Sequence, residues 1–233
     1  TPTGEPVREF IDSGKDFAGG VTVTYWLNKK PEDTFILTFL NSQGDQIQSF
    51  TSKSERDGHG SPKDETEVWA SADAGMNRFI WDMRYPSASK VPDDKSTERA
   101  VTGPLAPPGT YQVKLKVGEQ QETQSFEILK DPRVDTSQED LEAQFSLLVK
   151  MRDRLSEMHD TVNRIRLIYS QVEEWKKRVE GHSSYDIISD SAQALNDKLS
   201  LVEGELIQPN YKGSRDINDL PTKLNLNLSE LMD

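Results

Sequence analysis

The 233-residue sequence contains no cysteine. This absence excludes disulfide bonds, thiolate metal sites and a cysteine nucleophile. It fits the cytosol, and it fits equally an oxidising compartment in which free thiols are a hazard. No apolar run approaches the roughly 18 residues that a membrane helix needs, so no membrane insertion is predicted.

Basic residues are outnumbered as well. The chain has 28 Lys and Arg against 40 Asp and Glu, which gives a formal net charge of -12. A surface that binds nucleic-acid phosphates needs a basic excess, so no nucleic-acid partner is predicted. The sequence starts Thr-Pro-Thr-Gly without a Met, and we interpret it as a piece of a longer chain.

Apolar residues recur with a period of two up to residue 130, which indicates β-strands. About seven short strands are predicted: Val21–Leu27, Phe35–Phe39, Gln46–Thr51, Glu67–Ala70, Asn77–Arg84, Tyr111–Val117 and Thr123–Leu129. Seven strands in about 110 residues are typical of an antiparallel sandwich. We therefore predict a linker over residues 1–17 and an Ig-like β-sandwich over 18–130. The stretches 52–66 and 87–108 are predicted to be long surface loops.

Beyond Asp131 the apolar spacing changes to three and four, which predicts helices. Thr136 and Glu139 have the spacing of a capping box, and one helix is predicted from there to Glu180. Its apolar seam runs through Leu141, Phe145, Leu148, Met151, Leu155, Met158, Val162, Ile165, Tyr169, Val172, Trp175 and Val179. A second helix has its seam at Ile188, Ala192, Leu195, Leu199, Val202 and Leu206.

The C-terminal tail Leu220–Met232 suits either a helix or a strand, and Pro221 at a helix N1 position favours the helix. Because a single long helix would expose its seam, the helices are predicted to fold back on each other. Residues 131–233 are thus a helical hairpin or three-helix bundle, and the fold class is α+β with two segregated parts.

The stretch Ala74–Pro86, AGMNRFIWDMRYP, raises the main functional question. On a structural interpretation, Phe79, Trp81 and Met83 point into the sandwich, while Asp82 and Arg84 face outward. On a catalytic interpretation, Asp82 is a general acid or base. That role needs a second titrating group with a separated pKa, and the neighbouring sequence offers none. The structural interpretation is therefore preferred, and no catalytic residue is assigned.

Histidines and acidic pairs give no metal pattern. His59, His159 and His182 lack partners at ligand spacing, so His159 is interpreted as a half-buried helix residue and His182 as a turn residue. Asp57 and Asp93-Asp94 do not belong to a calcium-binding loop motif. No metal and no cofactor are predicted.

Two tryptophans leave an alternative open. Trp26 is out of phase with the inward residues of its strand, and Trp69 is equally uncertain. Solvent-facing tryptophans could stack sugars, as in carbohydrate-binding modules, or the helices could cover them. Packing is the preferred expectation, because the hairpin must dock somewhere.

Several motifs together resemble one bacterial C-terminal region, over roughly residues 18–205. They are Gly75-x-Asn77-x-Phe79-x-Trp81-Asp82-x-Arg84-Tyr85-Pro86, Gly103-Pro104-x-Ala106-x-Pro108-Gly109-Thr110-Tyr111, Asp131-Pro132-Arg133 and Gln138-Glu139-Asp140-Leu141. The region is the tail of large secreted proteins with an N-terminal sortilin-like propeller of BNR-type repeats, often labelled glycosyl hydrolase.

The resemblance implies a secreted or periplasmic location and an upstream propeller in the same chain as a partner. It implies no active site here, because the hydrolase label comes from the propeller. We expect a non-catalytic accessory or interaction module. The alternatives are a carbohydrate-binding module that serves a glycoside hydrolase, with polysaccharide as the partner, and a hydrolase in its own right. The last would need two carboxylates about 5–10 Å apart in a cleft.

Overall fold

The computed structural model describes residues 19–32, 34–52, 68–97, 102–213 and 220–232. The predicted loop 52–66, together with His59 and Asp57, lies outside these residues except for Ser52. The described strands are β1 (Val21–Leu27), β2 (Phe35–Leu40), β3 (Gln46–Thr51), β4 (Gly75–Trp81), β5 (Gly109–Val117) and β6 (Gln120–Ile128). The helices are α1 (Gln138–Arg178), α2 (Tyr185–Leu206) and α3 (Leu224–Glu230). The predicted α+β class is confirmed.

The strands form two sheets. β1 and β4 make an antiparallel two-stranded sheet, and the other four strands pair in the order β3-β2-β5-β6. A strand was also predicted at Glu67–Ala70, and the predicted strand Asn77–Arg84 extended to Arg84. The first prediction is wrong for residues 68–70, which are not in a strand, and β4 ends at Trp81. Met83, just beyond that end, has a φ of 61°, which breaks the ladder where the alternation of side chains suggested that it continued.

The chain divides into two compact units, and each is described by itself. The first is drawn from Thr1–Leu37, Phe50–Met83 and Leu115–Glu122. Its core contains Phe79 and Trp81 of β4, both nearly inaccessible to solvent. The Phe79 ring packs 4.5 Å from that of Phe50, and Tyr25 packs 5.7 Å from Phe35. These contacts bury the inward face of β4, as the period of two predicts.

The second unit is drawn from Thr38–Ser49, Arg84–Lys114 and Thr123–Asp233. Its strand residues meet through aromatic rings, with Phe126 between Phe39 and Tyr111. Its three helices contact one another. Val91, Val162 and Ile207 form a buried apolar cluster, with Leu206 packed against it. Other buried apolar residues of the helices are Leu155, Met158, Ile165 and Leu226.

Helix α1 is close to its predicted extent, but its cap differs. The N-cap is Ser137, whose Oγ accepts a hydrogen bond from the Asp140 amide at 3.1 Å. The predicted box of Thr136 and Glu139 is therefore one residue too early. Ser137 and Asp140 have the same spacing and both side chains favour a helix start, so spacing alone did not separate the two boxes.

Helix α2 buries only part of the predicted seam. Ala192 is buried, and Leu199 and Leu206 are half-buried, as predicted. Glu203, outside the seam, is also buried, while Ile188, Leu195 and Val202 are exposed by 36%, 42% and 49%. Residues spaced by seven drift about 20° per heptad around a straight α-helix. The rising exposure from Ile188 to Val202 follows that drift away from α1.

The tail is helical at Leu224–Glu230, as preferred, but its N-cap is Lys223. Pro221 precedes the cap and is not at N1, because the helix starts three residues later than predicted. No helix in the described part of the chain combines the length and the apolar character needed to cross a bilayer.

Candidate functional site

Asn77 of the 74–86 stretch lies in a network of local hydrogen bonds. Its Nδ2 donates to the carbonyl oxygens of Asp73 and Gly75, and its Oδ1 accepts from the Ser71 hydroxyl at 2.7 Å. Gly75 has a φ of 101°, which favours glycine, and it turns the chain into β4. Opposite Asn77, Tyr25 donates to the Ser71 carbonyl, and burial together with Asp73 raises the pKa of Tyr25 to about 12. Asn77 thus fixes the turn before β4.

The end of the stretch is also structural. Arg84 Nη1 donates to the Gly103 carbonyl at 2.9 Å, and the Tyr85 amide donates to Pro104 O at 2.9 Å. A Cβ on Gly103 would lie 1.7 Å from the Tyr85 carbonyl oxygen, so this approach requires glycine. Arg84 and Met83 are half-buried; the predictions of an outward Arg84 and an inward Met83 fail because both follow the end of β4. Trp81 is fully buried and Asp82 exposed.

After Tyr85 the chain follows α1 as an irregular segment, residues 85–91, which we call the strap. Four consecutive positions on one face of α1 bind its backbone. Arg152 Nη1 donates to Pro86 O at 2.7 Å, and Ser156 Oγ accepts from the Ser89 amide at 3.2 Å. Further along the face, His159 Nδ1 donates to Ser89 O and Asn163 Nδ2 donates to Lys90 O at 3.1 Å. The strap therefore obtains from helix side chains the hydrogen bonds that a sheet would supply.

These contacts were not predicted. Arg152, Ser156, His159 and Asn163 are spaced by four, three and four residues, so they form a polar stripe beside the apolar seam. That stripe was the available signal. It did not identify the segment that the stripe binds. Every residue has a backbone carbonyl, so the sequence of the strap does not show which carbonyls accept hydrogen bonds.

The strap ends in a turn held by a buried ion cluster. Arg166 of α1 donates to Asp94 Oδ2 through Nη2 at 2.5 Å and to Glu203 Oε1 of α2 through Nε at 2.9 Å. The side chains of Asp94 and Glu203 are only 6% and 10% exposed. Burial opposes the charge of Arg166, but the hydrogen bonds from Glu203 and Asp94 hold its pKa above the usual value. Burial and Glu203 likewise raise the pKa of Tyr169.

A cavity of about 20 Å³ lies between the strap, α1 and α3. Its lining includes strap residues 87–90, Leu155 and His159 of α1, and Asn225 of α3. His159 is 5% exposed, more buried than predicted, because the strap covers it. Burial lowers the pKa of His159, despite the opposing effects of the Ser89 carbonyl, Asp94 and Asp160. The imidazole is consequently neutral near pH 7.

The surface of α2 is the most apolar exposed part of the helices. Its five large exposed residues, which we call the α2 patch, are Ile187 (73%), Ile188 (36%), Leu195 (42%), Leu201 (74%) and Val202 (49%). On α1, Trp175 was predicted in the seam but is 60% exposed and packs its ring 5.3 Å from the guanidinium of Arg178. α3 is only seven residues long, against 22 for α2 and 41 for α1.

The two tryptophans of the predicted aromatic surface are in the first unit. Trp26 is 66% exposed, contrary to the expectation that it is packed, and its indole N–H donates to Asn28 Oδ1 at 3.2 Å. It pairs across β1 and β4 with Met76, which is 73% exposed. Trp69 is 39% exposed. Trp26 and Met76 therefore form an exposed apolar pair at one end of the outward face of this sheet.

The remaining predicted site residues lie apart from these surfaces. His182 is exposed in the turn between α1 and α2, where its Nδ1 accepts from the Ser184 amide at 3.3 Å. No group of three or more His, Asp or Glu residues in the described ranges is arranged to hold a metal ion. Comparison of the chain with family models, with curated proteins and with solved structures gave no match.

Proposed function

We propose that this chain is a non-catalytic interaction module that docks on another protein surface through the α2 patch. The observation that carries the proposal is the exposure of five large apolar residues on one 22-residue helix. Exposed apolar clusters of this kind mark interaction surfaces in soluble proteins. An amphipathic helix laid into an apolar groove is a common mode of recognition.

The charges around the patch indicate the chemistry of the partner. Asp186, Asp190, Asp197 and Glu205 of α2 are exposed, against one exposed basic residue, Lys198. A complementary surface is therefore apolar at its centre and basic at its rim. The partner that we propose is the upstream propeller of a larger secreted chain, which rests on the resemblance of the 75–141 motifs to such C-terminal regions.

The non-catalytic part of the proposal is supported by what the titratable groups do. Arg166 pairs with both Asp94 and Glu203, and these ion pairs hold the turn after the strap to α1 and α2. His159 binds the strap backbone beside a cavity of about 20 Å³, which has room for a water but not for a sugar ring. Each of these groups has a structural role, and none faces a cleft of substrate size.

The lack of native cysteine in this segment provides a direct test. A Leu201→Cys variant places one thiol in the α2 patch, and a Leu147→Cys variant places a matched thiol on α1, where Leu147 is 58% exposed. Maleimide labelling of each site is measured by peptide mass spectrometry, in the 233-residue chain and in the longer protein. We expect labelling of the Leu201→Cys variant to slow at least about tenfold in the longer protein, with labelling of the Leu147→Cys variant unchanged. Equal rates for the Leu201→Cys variant in the two proteins would overturn the proposed docking.

A carbohydrate-binding module is the second candidate, and the exposure of Trp26 supports it. Exposed indole faces stack on sugars, and Trp69 would extend the platform. The test is quenching of tryptophan fluorescence across a polysaccharide panel. On this candidate the quenching is lost in Trp26→Ala and kept in Trp175→Ala, which removes an indole of similar exposure on a helix. No quenching by any polysaccharide would discard the candidate.

A further inference from the structure

Two residues that line the same cavity in the second unit each carry a buried acceptor atom. His159 Nε2 and Asn225 Oδ1 have no hydrogen-bond partner in the described part of the chain. Both side chains are more than nine-tenths buried, at 5% and 2% exposure. Leaving such an atom without a hydrogen bond destabilises the fold, so each is expected to meet a donor.

The hydrogen bonds of the two residues fix the chemistry of these atoms. A carbonyl oxygen only accepts, so His159 Nδ1, which contacts Ser89 O, carries the ring proton. Nε2 of the neutral ring then offers a lone pair. Asn225 Nδ2 contacts the carbonyl and the hydroxyl of Ser96 at 3.4 and 3.1 Å, which assigns its amide orientation. Oδ1 is therefore the free acceptor.

A ligand that satisfies both acceptors must donate two hydrogen bonds. The cavity volume of about 20 Å³ exceeds the roughly 10–15 Å³ that one water requires. Two acceptor atoms also disfavour an anion. Water has two donor hydrogens and the right size.

We propose that this cavity binds one structural water, which donates one hydrogen to His159 Nε2 and the other to Asn225 Oδ1. The water joins two polar chains that otherwise end in the cavity. One runs from Asp94 through the Ser96 hydroxyl to Asn225, and the other from Ser89 to His159. In this arrangement the water links α3 to α1 and to the strap, and it is part of what holds α3 in place.

The direct test is a crystal structure at a resolution that shows ordered solvent, from crystals grown without ammonium. We expect one solvent peak within about 2.7–3.2 Å of both His159 Nε2 and Asn225 Oδ1. The absence of a peak, or a solvent atom that contacts only one of the two acceptors, overturns the proposal.

A solution test uses NMR cross-relaxation between water and the His159 ring, together with hydrogen exchange of α3. The wild-type protein is expected to show a long-lived water signal at His159 Hε1. An Asn225→Leu variant removes one acceptor and is expected to lose that signal and to exchange α3 amides at least about tenfold faster. The control is Asn227→Leu, the same substitution at an exposed position of α3, which keeps both.

Persistence of the water signal in Asn225→Leu would contradict a bridging water. If that variant fails to fold, the wild-type measurements still decide. A wild-type protein with no long-lived water at His159, together with no solvent peak in the crystal, refutes the site.

Discussion

Helix α1 meets two different environments along its length. From Arg152 to Arg166 its polar side chains bind the strap and the following turn, and its apolar side chains are buried. Beyond Arg166 the same helix and α2 expose Leu167, Trp175 and the α2 patch. One stretch thus has its partner within the chain, and the other exposes the apolar side chains that we propose dock on another protein. The contrast indicates which part stabilises the fold and which part is available for binding.

The largest expected effect is loss of the ion cluster. Arg166→Ala leaves Asp94 and Glu203 buried without their cation, and we expect the free energy of unfolding to fall by about 3–5 kcal/mol. Arg164→Ala, an exposed neighbour on α1, should change it by less than about 0.5 kcal/mol. Denaturant unfolding measures both. Similar losses for the two variants would mean that the cluster contributes no more than a surface arginine.

The next largest difference in the free energy of unfolding is expected between truncations of one leucine in each stretch. Leu155 is 1% exposed and Leu167 is 58% exposed on the same helix. Leu155→Ala is expected to cost about 2–5 kcal/mol, because it leaves a cavity. Leu167→Ala should cost less than about 0.5 kcal/mol in the isolated chain. Thermal and denaturant unfolding provide the comparison, and a large cost at Leu167 would place that residue in an intramolecular core.

A single strap contact should have a smaller effect. Asn163→Ala removes the hydrogen bond to the Lys90 carbonyl, and we expect a loss of about 0.5–1.5 kcal/mol. Gln171→Ala, at an exposed position in the second stretch, is the matched control and should be nearly neutral. Faster hydrogen exchange of the strap amides in Asn163→Ala alone would locate the effect. Unchanged exchange there would argue that the bond does not hold the strap.

The smallest expected effect is a pH dependence at His159. Burial lowers its pKa in the folded state below 6.5, while the unfolded chain keeps that ordinary value. The unfolded state therefore binds the proton first, so stability decreases as pH falls through about 6.5, and His159 contributes no pH dependence above it. The charges of Asp94 and Asp160 raise the pKa of His159 and so limit the size of the effect.

Unfolding of the wild-type protein, of His159→Asn and of His182→Asn at about pH 7.5 and 5.5 measures this dependence. The His159 variant should lose less stability on acidification than the wild type. The variant at the exposed His182 should follow the wild type. The same slope in all three proteins would show that the His159 pKa is not lowered.

Much of the helical part could be predicted from sequence, for a physical reason. The spacing of three and four from Leu141 onwards comes from burial of one face, and it placed the ends of α1 within two residues. The apolar spacing predicted burial wrongly where a charged residue is buried or an apolar residue is exposed. Glu203 is buried because Arg166 pairs with it, and Trp175 is exposed although it matches the seam.

The candidate site was less predictable. The phase of Trp26 in β1 left its environment open, and the preferred expectation of packing was wrong. The strap and the cavity were not recognised at all. The strap is held by hydrogen bonds to its backbone carbonyls, which do not alter the pattern of side chains along the chain. Sequence periodicity reports on side-chain burial, so it does not report on contacts that backbone atoms make.

The strap has a consequence for the order of folding. Its hydrogen bonds join residues that are 66 to 73 positions apart, since Pro86 binds Arg152 and Lys90 binds Asn163. A helix forms through local contacts, whereas such distant pairs first require closure of a long loop. During synthesis residues 85–91 leave the ribosome well before their binding face on α1 exists. We therefore expect the strap to dock on α1 only after that helix has formed.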